Sequence, residues 1–206
     1  RMCERGHAPR CLNPAVSSAQ VRERGVPLQR TLGLGTLATH VVVMESQAIP
    51  VRVALDAAPL SLLGCAVATG YGAVQHVARM RVGASVAVFG CGAVGCAVMQ
   101  SARLRGAAVI VAVDVDARKL ARARAAGATV TVDASVSRPE LEVRRATEGA
   151  GVEVSFECSG SPAALSDALA SCEVGGTCVM IGVPPADGAL SYALSRFFHG
   201  RRTLTA

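Results

Sequence analysis

A short, mostly apolar run, Ser85 to Phe89 (SVAVF), leads straight into Gly90-Cys91-Gly92-Ala93-Val94-Gly95, and helical spacing follows from residue 96 to 105. Three glycines spaced GxGxxG directly after a strand and at the opening of a helix form a mechanical unit. Gly90 permits the tight turn. Gly92 has no side chain to hold a diphosphate away from the backbone. Gly95 lets the helix lie close on the strand. The helix start then offers unpaired N–H groups and a partial positive charge to a dianion. The unit fits few folds other than a strand–turn–helix phosphate cradle in an α/β protein.

The downstream sequence repeats that rhythm. Val109 to Val113, Thr129 to Val132, Val152 to Phe156 and Thr177 to Ile181 read as strands. Helical segments lie between them at Ala117–Ala126, 138–147 and 162–171, with another at 191–199 before a last strand begins. Short apolar runs alternating with ten-residue amphipathic helices imply βαβ units and a parallel sheet buried on both faces. Five strands plus the start of a sixth make a doubly wound dinucleotide domain, so the expected fold class is α/β of Rossmann type. Residues 1–32 are polar and turn-rich. TLATHVVVM (36–44) and 48–53 suit strands, 56–63 a helix, and 67–80 a helix that reads through Gly70 and Gly72. A composition shift near residue 80 marks the expected boundary between domains 1–80 and 81–206.

Nineteen residues after Gly95, at the end of the second strand of this series, stands Asp114. A carboxylate there accepts hydrogen bonds from ribose hydroxyls and repels a 2′-phosphate, which favours NAD over NADP. Lys119, five residues on, either reaches the same ribose or is a solvated helix residue. It is the chain's only lysine. The excess of 21 Lys plus Arg over 15 Asp plus Glu is therefore carried by arginines scattered along the chain, and no nucleic-acid partner is expected. Aromatic residues are 3% of the chain, too few for a base-stacking platform. No run of eighteen apolar residues is visible, so no membrane association is expected.

Eight cysteines, at 3, 11, 65, 91, 96, 158, 172 and 178, are too sparse and irregular for a secreted disulfide scaffold, and a cytoplasmic location is expected. Cys3 and Cys11 alone are either half of a zinc site or a pair of free thiols. Cys65 alone reads as a buried small hydrophobe, and the other five read as packing residues. The four histidines share no ligand spacing.

Taken in order, Leu63-Gly64-Cys65, Thr69-Gly70-Tyr71-Gly72, Gly83, Val88 to Gly95, Val113-Asp114 and Gly182-Val183-Pro184-Pro185 resemble the zinc-dependent medium-chain alcohol dehydrogenases. The glutathione- or mycothiol-linked class III formaldehyde dehydrogenases and the bacterial NDMA-dependent alcohol dehydrogenases are the most similar branches. The resemblance covers nearly the whole chain and implies a set of roles. Cys65 is the third protein ligand of a catalytic zinc. Thr69 and Val94 pack on the nicotinamide. Gly90, Gly92 and Gly95 take the pyrophosphate, Asp114 and Lys119 the ribose, and Ile181 and Val183 lie beside the carboxamide. Cys3 and Cys11 match the last two of four structural-zinc cysteines.

The same resemblance implies NAD and Zn2+ as cofactors, a small alcohol or aldehyde as substrate, and a homo-oligomer when intact. Residues 1–80 become remnants of a GroES-like β-rich catalytic domain. The family's first zinc cysteine, its zinc histidine and its proton relay have no counterparts in the sequence. It therefore reads as part of a longer protein, and alone it is expected to be inactive. A non-catalytic nucleotide-binding module and a zinc-free quinone reductase-like relative are the alternatives.

Overall fold

The computed structural model describes residues 22–27, 38–43, 45 and 48–206, in two compact units, Arg1–Ala54 and Leu55–Ala206. In the first unit, β1 (Arg22–Glu23) and β2 (Val26–Pro27) form an antiparallel hairpin. Its two-residue turn, Arg24-Gly25, has positive φ at both positions, as the twist of such a hairpin requires. Among the described residues of 36–44 and 48–53, the expected strands do not form. The described residues of those segments are exposed and join no strand ladder, and a β-branched run forms no strand without a neighbour.

The second unit begins with α1 (Ala57–Leu60). A π-helical turn (Leu63–Val67), α2 (Ala68–Gly72) and a second π-helical turn (Ala73–Val77) follow. A Cβ at Gly70 would stand 2.7 Å from both the Ala97 Cβ and the Val98 nitrogen, so this helix packs almost backbone to backbone on α3 (Ala93–Leu104). The stretch 57–77 contains an 18-residue window of mean hydropathy 1.4 and is, by length and composition alone, long and apolar enough to cross a membrane. Polar Ser61, Thr69, Gln75 and His76 interrupt its apolar residues, which is why no unbroken run is visible.

Six strands follow in strict alternation with helices: β3 (Ser85–Phe89), β4 (Val109–Asp114), β5 (Val130–Asp133), β6 (Val152–Glu157), β7 (Cys172–Met180) and β8 (Thr203–Thr205). They form one sheet in the order β5-β4-β3-β6-β7-β8, with every pairing parallel. This is the doubly wound Rossmann arrangement, with the order reversing between β3 and β6. The intervening helices are α3, α4 (Ala117–Ala126), α5 (Pro139–Ala146), α6 (Pro162–Ser171) and α7 (Leu194–Gly200).

Two apolar clusters cover the two faces. Val86, Val88, Ile110, Ala112 and Phe156 pack with Val98, Met99 and Leu120. Ala87, Phe89, Val111 and Val113 pack with Val143, Leu165 and Leu169. Alternate residues of one strand thus serve opposite cores, which is why the strands read as unbroken apolar runs. Helix starts and stops follow local chemistry. Asp116 and Ser161 cap α4 and α6 through their side chains, and Gly127 ends α4 at φ 118°.

Candidate dinucleotide-binding site

The site is built at the C-terminal ends of β3, β4, β6 and β7. Short backbone hydrogen bonds join these ends: Gly90 N–H donates to the Val113 carbonyl at 2.8 Å, Cys158 N–H to Phe89 at 2.7 Å, and Ile181 N–H to Glu157 at 2.8 Å. The crevice outside the strand ends, where the order reverses, is where such sheets bind ligands.

Gly90 adopts φ +93°, and a Cβ there would meet the Ser159 nitrogen at 2.9 Å. The turn therefore needs glycine both for its conformation and for the close approach of the β6 exit. A Cβ on Gly95 would stand 1.9 Å from the Gly90 carbonyl oxygen, so helix and strand meet without room for a methyl group. Gly92 behaves differently. Its φ of −75° suits any residue, and a Cβ would meet nothing within 4 Å. The space beside Gly92 is open. Gly92 is also the N-cap of α3 and makes no side-chain cap, so the first-turn N–H groups have no capping side chain.

Asp114 ends β4, 8% exposed. Its carboxylate faces the glycine turn: Oδ2 accepts the Cys91 N–H at 2.7 Å, and Oδ1 accepts the Asp116 N–H at 3.0 Å. Each carboxylate oxygen can take two donors, so acceptor capacity remains for ribose hydroxyls. Lys119 Nζ lies 3.8 Å from Oδ1 and balances the charge. The link from Asp114 to the Cys91 N–H was not legible from the motif. It means that one side chain both shapes the turn and faces the crevice.

Val94 lies half-buried in the first turn of α3. Ile181 is half-buried just past β7 and packs on the α3-side core, and Val183 is 89% exposed beyond it. Thr69 is exposed on α2, one residue before the tight Gly70 contact. Sequence reasoning missed Glu157, 1% exposed at the end of β6. Its Oε1 accepts the N–H groups of Ser159 and Gly160 and the Ser159 hydroxyl, folding the turn that brings Gly160 against Val183. The signal was a strand ending in Glu before Cys-Ser-Gly-Ser-Pro.

Among the thiols, burial, with help from the Asp114 carboxylate, pushes Cys91 up to about 12, and burial also raises Cys96. These are neutral packing groups at neutral pH. Cys65 is exposed, not the buried small hydrophobe that its residue type suggests, because its π-helical turn buries none of its residues. Cys3 and Cys11 lie outside the described residues. No group of three His, Cys, Asp or Glu side chains suited to a metal exists among the described residues. Cys65 has no partner ligands there, and the described residues do not by themselves fit a zinc ion.

Residues 93–206 match the family model described as zinc-binding dehydrogenase. Alcohol dehydrogenase-like 3 of Arabidopsis thaliana is 33% identical over 178 residues, covering 85% of this chain and 45% of the relative. S-(hydroxymethyl)glutathione dehydrogenase of Saccharomyces cerevisiae is 34% identical over 185 residues, covering 86% and 47%. Benzyl alcohol dehydrogenase from Acinetobacter calcoaceticus superposes with a TM-score of 0.80 at 25% identity, covering 84% of this chain and 48% of that one. The chain spans about half the length of the curated relatives it matches.

Proposed function

The chain belongs to the zinc-binding dehydrogenases, the zinc-dependent medium-chain alcohol dehydrogenase family, and on that premise we propose that it is the cofactor-holding part of an oxidoreductase that passes hydride between an alcohol, or a thiol–aldehyde adduct, and NAD. One observation carries the cofactor reading. The open space at Gly92 and the Asp114 carboxylate lie on the two sides of one hydrogen bond, Cys91 N–H to Oδ2. A diphosphate laid on residues 92–95 thus has a ribose-binding acid beside it.

When bound, NAD supplies the carbon that accepts hydride. The chain's own residues do the positioning. The first-turn N–H groups of α3 hold the diphosphate. Asp114 and Lys119 grip the adenosine ribose. Val94 and Thr69 bear on the nicotinamide ring, with Ile181 and Val183 beside its carboxamide. Fixing the ring to within a fraction of an ångström is what makes hydride transfer effectively unimolecular. Cys65 would be one ligand of a catalytic metal, and the remaining ligands would have to come from outside the described residues.

The test is a titration of the chain with NADH and NADPH, followed by nicotinamide fluorescence. NADH is expected to bind at least about tenfold more tightly, because a buried carboxylate facing a 2′-phosphate costs more than 1.4 kcal/mol. Equal affinities, or no NADH binding, would overturn the assignment. Alcohol-dependent NADH formation by the chain alone is expected to be absent, and measurable turnover would refute the incomplete metal site.

A further inference from the structure

Two residues beyond Asp114, Asp116 caps α4. Its Oδ1 accepts the Arg118 N–H at 2.8 Å, and the same carboxylate takes the Arg118 guanidinium, Nη2 to Oδ2 at 3.0 Å and Nε to Oδ1 at 3.3 Å. The Asp116 N–H in turn donates to Asp114 Oδ1. Both acids and the arginine therefore sit on one short connection at the ribose end of the crevice. A guanidinium in this region is the group that would accept a ribose 2′-phosphate through two parallel hydrogen bonds. Here that fork is already engaged, edge-on, by Asp116.

Given the dinucleotide reading on which this rests, the geometry points to Asp116 as a second cofactor-selectivity residue. It keeps Arg118 paired, so neutralising Asp114 releases Lys119 but not Arg118 toward a 2′-phosphate. Discrimination has two layers: Asp114 repels the 2′-phosphate, and Asp116 withholds a second cation, besides Lys119, that would receive it. The two acids also differ in kind. Asp114 is buried and shapes the glycine turn, whereas in the Asp116–Arg118 pair the carboxylate is half-buried and the guanidinium largely exposed. An exposed pair is weak, so releasing Arg118 changes affinity by about two- to fivefold, not by orders of magnitude.

The experiment is a cycle on the full chain carrying Asp114→Asn, which keeps an acceptor for the Cys91 N–H. Asp116→Asn, Arg118→Ala and their combination are added to it, and dissociation constants for NADPH and NADH are measured by nicotinamide fluorescence. Asparagine retains the capping oxygen, so α4 keeps its start. Asp116→Ser, a second uncharged cap, guards against an effect peculiar to the amide.

Asp116→Asn is expected to tighten NADPH about two- to fivefold, and Arg118→Ala is expected to abolish that gain. With Asp116 in place, Arg118→Ala is expected to leave NADPH affinity nearly unchanged, and NADH is expected to be indifferent throughout. If NADH binds but Arg118→Ala has the same effect on NADPH with and without Asp116, the selectivity role is overturned and the dinucleotide site stands. If NADH binds to none of these proteins nor to the unaltered chain, the dinucleotide reading itself fails and takes this one with it.

Discussion

Gly92 and Gly95 lie in the same turn, yet adding a methyl group to each has opposite expected consequences. At Gly95 the new Cβ would lie 1.9 Å from the Gly90 carbonyl oxygen, 3.1 Å from its carbon and 3.4 Å from Val88 Cγ1. The first two of these are backbone atoms at the end of a central strand, so relief requires α3 to move off the sheet. Overpacking of this kind costs about 1–3 kcal/mol, and the near-covalent distance places Gly95→Ala at the upper end. For a domain of this size that is a fall in melting temperature of about 5–10 °C.

At Gly92 the Cβ enters open space on a backbone that any residue adopts, so Gly92→Ala is expected to change stability by less than about 0.5 kcal/mol. The same methyl group occupies the place where a diphosphate would approach. Losing one charge-assisted hydrogen bond costs about 1.5–3 kcal/mol, a tenfold to hundredfold weakening of NADH. Thermal melts and NADH titrations of the two variants separate the effects. An Gly92→Ala protein that binds NADH like the unaltered chain would refute the cradle. An undiminished melting temperature for Gly95→Ala would refute the packing argument.

Three further outcomes are expected. Timed alkylation with mass spectrometric readout should label Cys65 well before Cys91, Cys172 or Cys178, since Cys65 alone of these four is exposed; simultaneous labelling of all four would contradict the burial pattern. Stability should fall in alkaline solution. Burial pushes Cys91 and Cys178 up to about 12 from an ordinary 9.0, so the unfolded chain loses protons first and stability, intact below about pH 9, declines toward pH 12. Denaturant melts showing no decline across that window, relative to variants with both thiols replaced by alanine, would refute this. Lys119, the only lysine, lies 3.8 Å from Asp114 Oδ1, so bound NADH should slow its acylation at least about threefold, with the rate unchanged if the ribose sits elsewhere.

Much of the sheet was legible because its strands are covered on both faces. VIVAV and SVAVF can be little else once glycines and amphipathic helices flank them. Helices α4 and α6 carry their limits in their chemistry: Asp116 and Gly127 bound one, Ser161-Pro162 begins the other. The start of β7 was not legible. Cys172 to Gly176 is polar and glycine-rich, yet Cys172 pairs with Val152 before a register shift leads to the apolar run. Residues 67–80 read as one helix through Gly70 and Gly72, and the segment instead carries π-helical turns at Leu63–Val67 and Ala73–Val77 on either side of α2, with Gly70 against α3.

In the candidate site, the glycine pattern and Asp114 follow from chemistry that spacing encodes. The Cys91–Asp114 hydrogen bond, the Glu157 turn and the Asp116–Arg118 pair depend on side-chain placement across strand ends. Sequence spacing does not carry that information.

Amide hydrogen exchange of the full chain with and without NADH tests the central claim most directly. The backbone N–H groups of Gly92 to Gly95 are expected to be selectively slowed by the dinucleotide, while amides at the opposite ends of the strands are unaffected. Exchange at 92–95 that is identical in the presence of saturating NADH would contradict the claim that a diphosphate rests there.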